Sequence, residues 1–281
     1  MGRAGMSAMP VPSPAGRRPY PTLRLLDGRP RAILFDAGKC IGCRQCVEAC
    51  KDANDLPRGN QYSIGRSTWL TIEPPVLDGQ STVWGRNSCM HCEYPLCAAV
   101  CPVEAITKYA EGPVVIDRQT CIGCDYCIYA CPWGVIAKDD QSGKAWKCTM
   151  NPERIAAGEV PACVEVCPVE ALDFGLVEEM EQKASRRAQE SGGTLYGRHE
   201  AGGTHVLHVL PQPPVQHGMR AVGRERYPPH HIPLWKKIKG PLTLTGGVAG
   251  KWRAVHNALA KPWRLSYRYW HRPEEPVGPA R

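Results

Sequence analysis

Residues 40–50 read CIGCRQCVEAC and residues 121–131 read CIGCDYCIYAC, both with the spacing C-x2-C-x2-C-x3-C. Outward from these two stretches the same rhythm returns twice more. Cys89, Cys92, Cys97 and Cys101 keep it with the middle gap widened to four residues. Cys148, Cys163 and Cys167 make an incomplete group, in which Asn151 stands where the C-x2-C step asks for a thiol. All 15 cysteines of the 281-residue chain lie between Cys40 and Cys167, so the count is four groups of four less one.

Cysteine usage this high has three physical readings: a disulfide framework, structural zinc, or iron-sulfur clusters. Cysteines two residues apart are awkward to bridge, and an odd number leaves a thiol over. Zinc asks for four ligands from two separated C-x2-C knuckles, not a triad with an outlying cysteine before proline. Clusters fit. Three thiolates two residues apart on a looping backbone bind three corners of one cube. The fourth, three residues on and followed by proline, points away to complete a second cube. Pro102, Pro132 and Pro168 occupy that following position. The motifs therefore work in pairs, and two ferredoxin-like modules provide four cluster sites. The fold class expected is α+β, with an irregular N-terminal arm and an extended C-terminal tail.

Between the motifs, Ala32–Asp36 before Cys40 and Val114–Asp117 before Cys121 are short β-branched or apolar runs that read as strands feeding a cluster loop. Proline suits a first helical turn, so short helices are expected after the fourth cysteine of a motif, as at Cys101–Ile106. Leu176, Met180 and Ala184 recur every four positions, with Glu179 and Lys183 paired on the polar side, so Leu176–Glu190 reads as an amphipathic surface helix ended by Gly192 and Gly193. The organisation expected is an arm over 1–31, a four-cluster unit over 32–175, a helix and strand packing on it over 176–210, and a Pro-rich basic tail over 211–281.

Composition bounds the rest. The first 32 residues are rich in Pro, Gly and Arg, and the twin Arg17-Arg18 is followed by Pro19-Tyr20-Pro21 where a signal peptide needs an apolar stretch. No window reaches the roughly 18 apolar residues of a bilayer span; the nearest, Pro241–Gly250, is ended by Lys251. Of the net charge of +8, the segment 235–281 supplies ten Lys or Arg against Glu274 and Glu275. Such a tail suits nucleic acid, anionic lipid or an acidic protein surface. There is no Gly-rich dinucleotide fingerprint, nucleophile elbow or phosphate loop, so a self-sufficient enzyme lacks support. His91, His205 and His208 invite a haem or metal role, but none has a partner at ligand spacing, and packed or surface histidines are the favoured reading. His230 and His231 sit among prolines and read as loop.

With the motifs in view, the chain resembles the four-cluster iron-sulfur subunits of molybdenum or tungsten oxidoreductases, and most of all the β-subunit of formate dehydrogenases. The likeness is carried by CIGCRQCVEACKDANDLP at 40–57, CMHCEYPLCAAVCPVEAI at 89–106, CIGCDYCIYACPWGV at 121–135, KAWKCTM at 144–150, GEVPACVEVCPVEALDFG at 158–175 and GGTHVL at 202–207. It implies that motif one pairs with motif four and motif two with motif three. The cluster nearest the catalytic subunit would use Cys40, Cys43, Cys46 and Cys167. Next would come Cys50, Cys148 and Cys163 with Asn151, then Cys89, Cys92, Cys97 and Cys131, and farthest Cys101, Cys121, Cys124 and Cys127. The expected cofactors are three 4Fe-4S clusters and a fourth, at Asn151, that is 3Fe-4S or a 4Fe-4S cluster with a non-Cys ligand.

The resemblance implies a non-catalytic electron-transfer subunit whose partner is a large molybdopterin catalytic subunit, with a cytochrome or other membrane subunit as a further partner. A hydrogenase or a sulfur-compound reductase is the alternative catalytic partner. A nucleic-acid-binding iron-sulfur protein is a different class, disfavoured because four sites in a row suit the movement of charge. Related β-subunits often carry a transmembrane helix where Leu234–Gly250 stands. Here lysines interrupt it, and the aromatic and basic residues beyond (Trp252, Trp263, Tyr267, Tyr269, Trp270) read as a docking arm. The location expected is cytoplasmic or peripheral to a membrane through partners, with export alongside a signal-bearing partner also open.

Overall fold

The computed structural model describes residues 22–59, 62–74 and 83–224. The start of the arm, His230 and His231, the Pro241–Gly250 stretch and the basic tail from 235 onward lie outside the described residues. Along the chain come β1 (Thr22–Leu23), β2 (Arg31–Asp36), α1 (Gln45–Ala53), β3 (Leu70–Glu73), β4 (Gly85–Ser88), α2 (Leu96–Ala99), β5 (Ile106–Tyr109), β6 (Val114–Ile116) and α3 (Tyr126–Ala130). Then follow β7 (Ala137–Lys138), β8 (Ala145–Trp146), α4 (Pro152–Ala156), α5 (Ala162–Glu165), β9 (Leu172–Leu176), α6 (Val177–Ser191), β10 (Thr194–Tyr196) and β11 (Val206–Leu210). Small sheets and short helices built around cysteine loops make this an α+β ferredoxin-like fold.

The largest sheet has the order β10-β11-β2-β9, with β2 antiparallel to β9 and parallel to β11. Its two inner strands are β11 and β2, and the continuous apolar run of β2 has a simple cause: both faces are covered. Ile33 and Phe35 face the cysteine-bearing core, while Ala32 and Leu34 face α6 with Leu207 and Val209 of β11. On α6, Met180, Ala184 and Ala188 close that second layer; Met180 and Ala184 belong to the four-residue row read from the sequence, while Leu176, its first member, ends β9. The helix starts one residue later than expected, at Val177, and Gly192 ends it in a left-handed conformation with its N–H on the Ala188 and Gln189 carbonyls. Lys183 pairs with Asp173 of β9.

One expectation fails for an instructive reason. Helices do not follow the fourth cysteine; α2, α3 and α5 end before Cys101, Cys131 and Cys167, and β5 begins at Ile106. A residue before proline is driven out of the helical region, so the cysteine itself must leave the helix, as Cys131 does at φ −76, ψ 112. Only α1 runs through its fourth cysteine, because Cys50 is followed by Lys51 and not proline.

The two modules differ in continuity. The halves carrying motifs two and three follow each other directly, with α2 packed on α3 and β5 paired with β6. Those carrying motifs one and four are far apart in sequence, and α1 meets α5 only after the other module has been inserted between them. Residues 22–28 wrap onto the inserted module. There β1 runs parallel to β5, and the Glu111 carboxylate accepts the N–H groups of Leu25, Leu26 and Gly28 at 2.7–3.0 Å.

Candidate iron-sulfur sites

Each cysteine loop repeats one backbone step. The third residue of the C-x2-C segment takes the left-handed conformation in all four motifs: Gly42 at φ 69, His91 at φ 47, Gly123 at φ 68 and Met150 at φ 65. Such a φ is unfavourable for a side chain such as His or Met, so its recurrence marks a turn that the loop requires. At Gly42 and Gly123 glycine is also a matter of space. A Cβ would stand 2.2 Å from the Trp84 ring in the first case and 2.1 Å from the Gly143 carbonyl in the second. By this register Asn151 occupies the place of a second cysteine.

The turn aims amides at sulfur. Gly42 donates its N–H to Cys40, His91 to Cys89 at 3.4 Å, and Tyr126 to Cys124. After the fourth cysteine, Ala105 donates to Cys101 at 3.3 Å and Val135 to Cys131. Two side chains join them: the Trp133 indole reaches Cys92 Sγ at 3.3 Å and the Asn54 amide reaches Cys50 Sγ at 3.8 Å.

The fifteen thiols are free, and many lie in one another's electrostatic field. Cys40 lies in the field of Cys167 and Cys43, and Cys46 in that of Cys163, then Cys40 and Cys167. Cys50 faces Cys148 and Cys163. Cys92 and Cys97 lie in the field of Cys89 and Cys131, and Cys127 in that of Cys97, then Cys124, Cys101 and Cys121. Charge is also felt from one group to the next, between Cys46 and Cys163, Cys148 and Cys89, and Cys97 and Cys127.

Two groups line open cavities. Cys40, Cys43, Cys46 and Cys167 border one with Phe35, Ile41 and Ile72; Cys101, Cys121, Cys124 and Cys127 border the other with Ile106, Ile116 and Ile122. Among the described residues no three His, Cys, Asp or Glu side chains close on a single-ion position. Sulfurs held apart around an apolar-walled space suit a polynuclear iron-sulfur group, whereas zinc draws its four ligands to about 2.3 Å from one point.

Charge supports the same fit. Burial pushes the thiols of Cys92 and Cys124 up to about 12 and that of Cys148 to about 11, with Cys46, Cys50, Cys97 and Cys127 also well above the usual thiol range. At neutral pH these sulfurs ionise only against metal, so loading a cluster releases protons. Opposing the burial are buried cations. Arg86 acts on Cys46, Cys50 and Cys148; Lys147 acts on Cys97 and Cys148; Lys108 acts on Cys92. Lys147 donates to the carbonyls of Val114 and of Cys148, the latter at 3.0 Å, and Lys108 donates to that of Cys92 at 3.3 Å.

The incomplete group is tied together by polar contacts. The Asn151 side-chain carbonyl accepts the Ala162 N–H at 3.2 Å, beside Cys163, and its own N–H donates to Thr149 Oγ1 at 3.3 Å. That hydroxyl donates to Asn54 Oδ1, and Asn54 is the residue whose amide reaches Cys50. Asn151 is buried at 8% exposure.

His91, His205 and His208 are packed. The Nδ1 atom of His91 accepts the Val114 N–H at 2.9 Å, His205 lies 2.9 Å from Glu93, and His208 stacks edge-on against Phe35. Trp133, Asn54, Arg86, Lys108 and Lys147 are the site residues that motif reading passes over. Two of them, Trp133 and Lys147, stand beside motif residues, in CPWG and WKC.

Repeated cysteine loops, amides turned on their sulfurs and buried cations between them define a multi-cluster ferredoxin-like iron-sulfur protein. A 4Fe-4S dicluster domain model matches residues 82–177, and a 4Fe-4S binding domain model matches residues 31–52. The iron-sulfur subunit of the nitrate-inducible formate dehydrogenase of Escherichia coli is 33% identical over 241 residues, covering 78% of this chain and 81% of that subunit. That of the Haemophilus influenzae formate dehydrogenase is 30% identical, over 78% and 77%. The thiosulfate reductase electron transfer subunit PhsB of Salmonella typhi is 42% identical over 180 residues, covering 60% of this chain and 92% of that one. The chain belongs to the iron-sulfur subunit family of formate dehydrogenases and related reductases. No helix among the described residues is long and apolar enough to cross a membrane.

Proposed function

We propose that this chain is the electron-transfer subunit of a molybdenum or tungsten oxidoreductase, formate dehydrogenase first, working with a large molybdopterin catalytic subunit and a separate redox partner. The observation that supports this reading is the recurrence of one cysteine loop four times along the chain, with thiols of different loops within one another's electrostatic reach. When bound, four iron-sulfur clusters would supply a series of one-electron stations. The ligand sets we propose are Cys40, Cys43, Cys46 and Cys167; Cys50, Cys148 and Cys163 at Asn151; Cys89, Cys92, Cys97 and Cys131; and Cys101, Cys121, Cys124 and Cys127.

The chain's own residues hold, insulate and bias these stations. Thiolates anchor them, the left-handed loops turn amide N–H groups onto sulfur, and Phe35, Ile72 and Ile106 keep water from the walls. Lys147 and Arg86 offset the negative charge that thiolates and inorganic sulfides bring inside. The organisation proposed is a cluster-bearing unit over 32–175, with 176–210 packed on it and 211–281 docking to partners. The higher identity to a thiosulfate reductase subunit favours a sulfur-compound reductase as the second reading.

The test is anaerobic purification of the native complex, metal analysis, and mass spectrometry of the large subunit that accompanies the chain. Roughly 15 to 16 iron atoms per chain and a molybdopterin-binding companion are expected, with no formate turnover by the isolated chain. A preparation rich in zinc and poor in iron, or turnover by the chain alone, would overturn the proposal.

A further inference from the structure

We propose that Arg86 is the shared buried counter-charge of the two clusters in the split module, and that it raises the reduction potential of both. The inference rests on the four-cluster reading above and deepens it.

The β3–β4 ribbon places the side chain. Ile72 and Arg86 are cross-strand partners, as are Leu70 and Ser88, and directly opposed residues share a face of the ribbon. Ile72 lines the cavity of Cys40, Cys43, Cys46 and Cys167, so Arg86 stands on the cavity side. Its side chain is 1% exposed; Nη1 donates to Ser88 Oγ at 2.7 Å, and the buried Nε has no partner. No carboxylate among the described residues pairs with it. A guanidinium keeps its proton at any ordinary pH, and a buried one without an anion is strongly unfavourable.

The missing anion is supplied by sulfur. Arg86 is the one cation within electrostatic reach of Cys46, Cys50 and Cys148 alike. Cys46 belongs to the first ligand set, and Cys50 and Cys148 to the second. A cation between two such groups is satisfied by their thiolates. Each gains one negative charge on reduction, which the cation favours.

The experiment uses the complex with its full chain. Wild type, Arg86→Gln and Arg86→Lys are titrated with dithionite and followed by electron paramagnetic resonance, alongside iron content. Wild-type protein that lacks four clusters defeats the parent reading, not this inference. Given four clusters, Arg86→Gln should lower the potentials of two signals and leave two in place, and Arg86→Lys should restore most of the shift. Unchanged potentials in Arg86→Gln, or a shift shared by all four signals, would overturn the proposal. If Arg86→Gln does not retain iron, Arg86→Lys decides: retained iron with near wild-type potentials supports a charge role, and loss of iron there too would make Arg86 a packing residue.

Discussion

Replacing Asn151 with Cys tests the position where the chain breaks its own repeat. The backbone there already has the shape of a cysteine loop, with Met150 at φ 65 and Asn151 at φ 49. The exchange removes the side-chain carbonyl 3.2 Å from the Ala162 N–H, and a buried donor left without a partner costs about 1–3 kcal/mol. In return it offers a fourth thiolate. One added negative charge about 4 Å from the electron it repels, at an effective dielectric of about 20, opposes reduction by about 4 kcal/mol, or roughly 170 mV for one electron. Asn151→Cys should therefore hold up to one more iron, and one signal should move down by an amount on that order. Asn151→Ala, which loses the same hydrogen bond without adding charge, should melt earlier but show no such downward shift. The assay is redox titration followed by electron paramagnetic resonance, with iron analysis on the same samples. If wild type and Asn151→Cys give the same signals at the same potentials, position 151 does not face a cluster.

Two further outcomes follow from single contacts. Trp133→Phe keeps the edge-on stack against Tyr196 but removes the indole N–H from Cys92 Sγ, so one cluster potential alone should fall, by about 1 kcal/mol or about 40 mV; an unchanged redox titration would refute a tuning role. His208 is kept neutral by burial, then by the nearby charges of Arg86 and His217, so its pKa lies well below the ordinary histidine value. Its contribution is complete above about pH 6.5, where the unfolded imidazole is also neutral. It is lost at up to about 1.4 kcal/mol per pH unit below that, because only the unfolded chain takes up the proton. Melting temperatures between pH 7.5 and 5 should decline less steeply in His208→Phe than in wild type, and equal slopes would refute the assignment.

What could be read directly from the sequence was local. The cysteine rhythm announces ferredoxin-like loops because ligand spacing is a property of adjacent residues, and α6 is visible because Met180 and Ala184 repeat at helical period, although Leu176, read with them, belongs to β9. The β-branched runs at 32–36 and 114–117 became β2 and β6 with small shifts in boundary. Proline misled the reading of helices, since its preference for a first helical turn competed with its effect on the preceding cysteine, and the second effect won. Arg86 was invisible: a lone arginine in WGRNS carries no motif, and only the pairing of β4 with β3 turns it toward the cysteines. Likewise β11 gives no sign in sequence that it will lie beside β2, because parallel pairing across some 170 residues leaves no local trace.

That long-range pairing bears on the order in which the protein is made. The inserted module has both of its motifs within Cys89–Cys131 and can close as soon as that stretch emerges from the ribosome. The split module waits. Cys40, Cys43, Cys46 and Cys50 are synthesised first, yet α5 and β9 arrive more than a hundred residues later, and β11 later still. At about 5–20 residues per second, the first motif spends on the order of ten seconds without its other half. Its thiols are at their most accessible in that interval, open to oxidation and to capture of the wrong metal. The oldest cysteines in the nascent chain are thus the last to be enclosed, and an assembly factor or a low-oxygen setting would protect them most during synthesis.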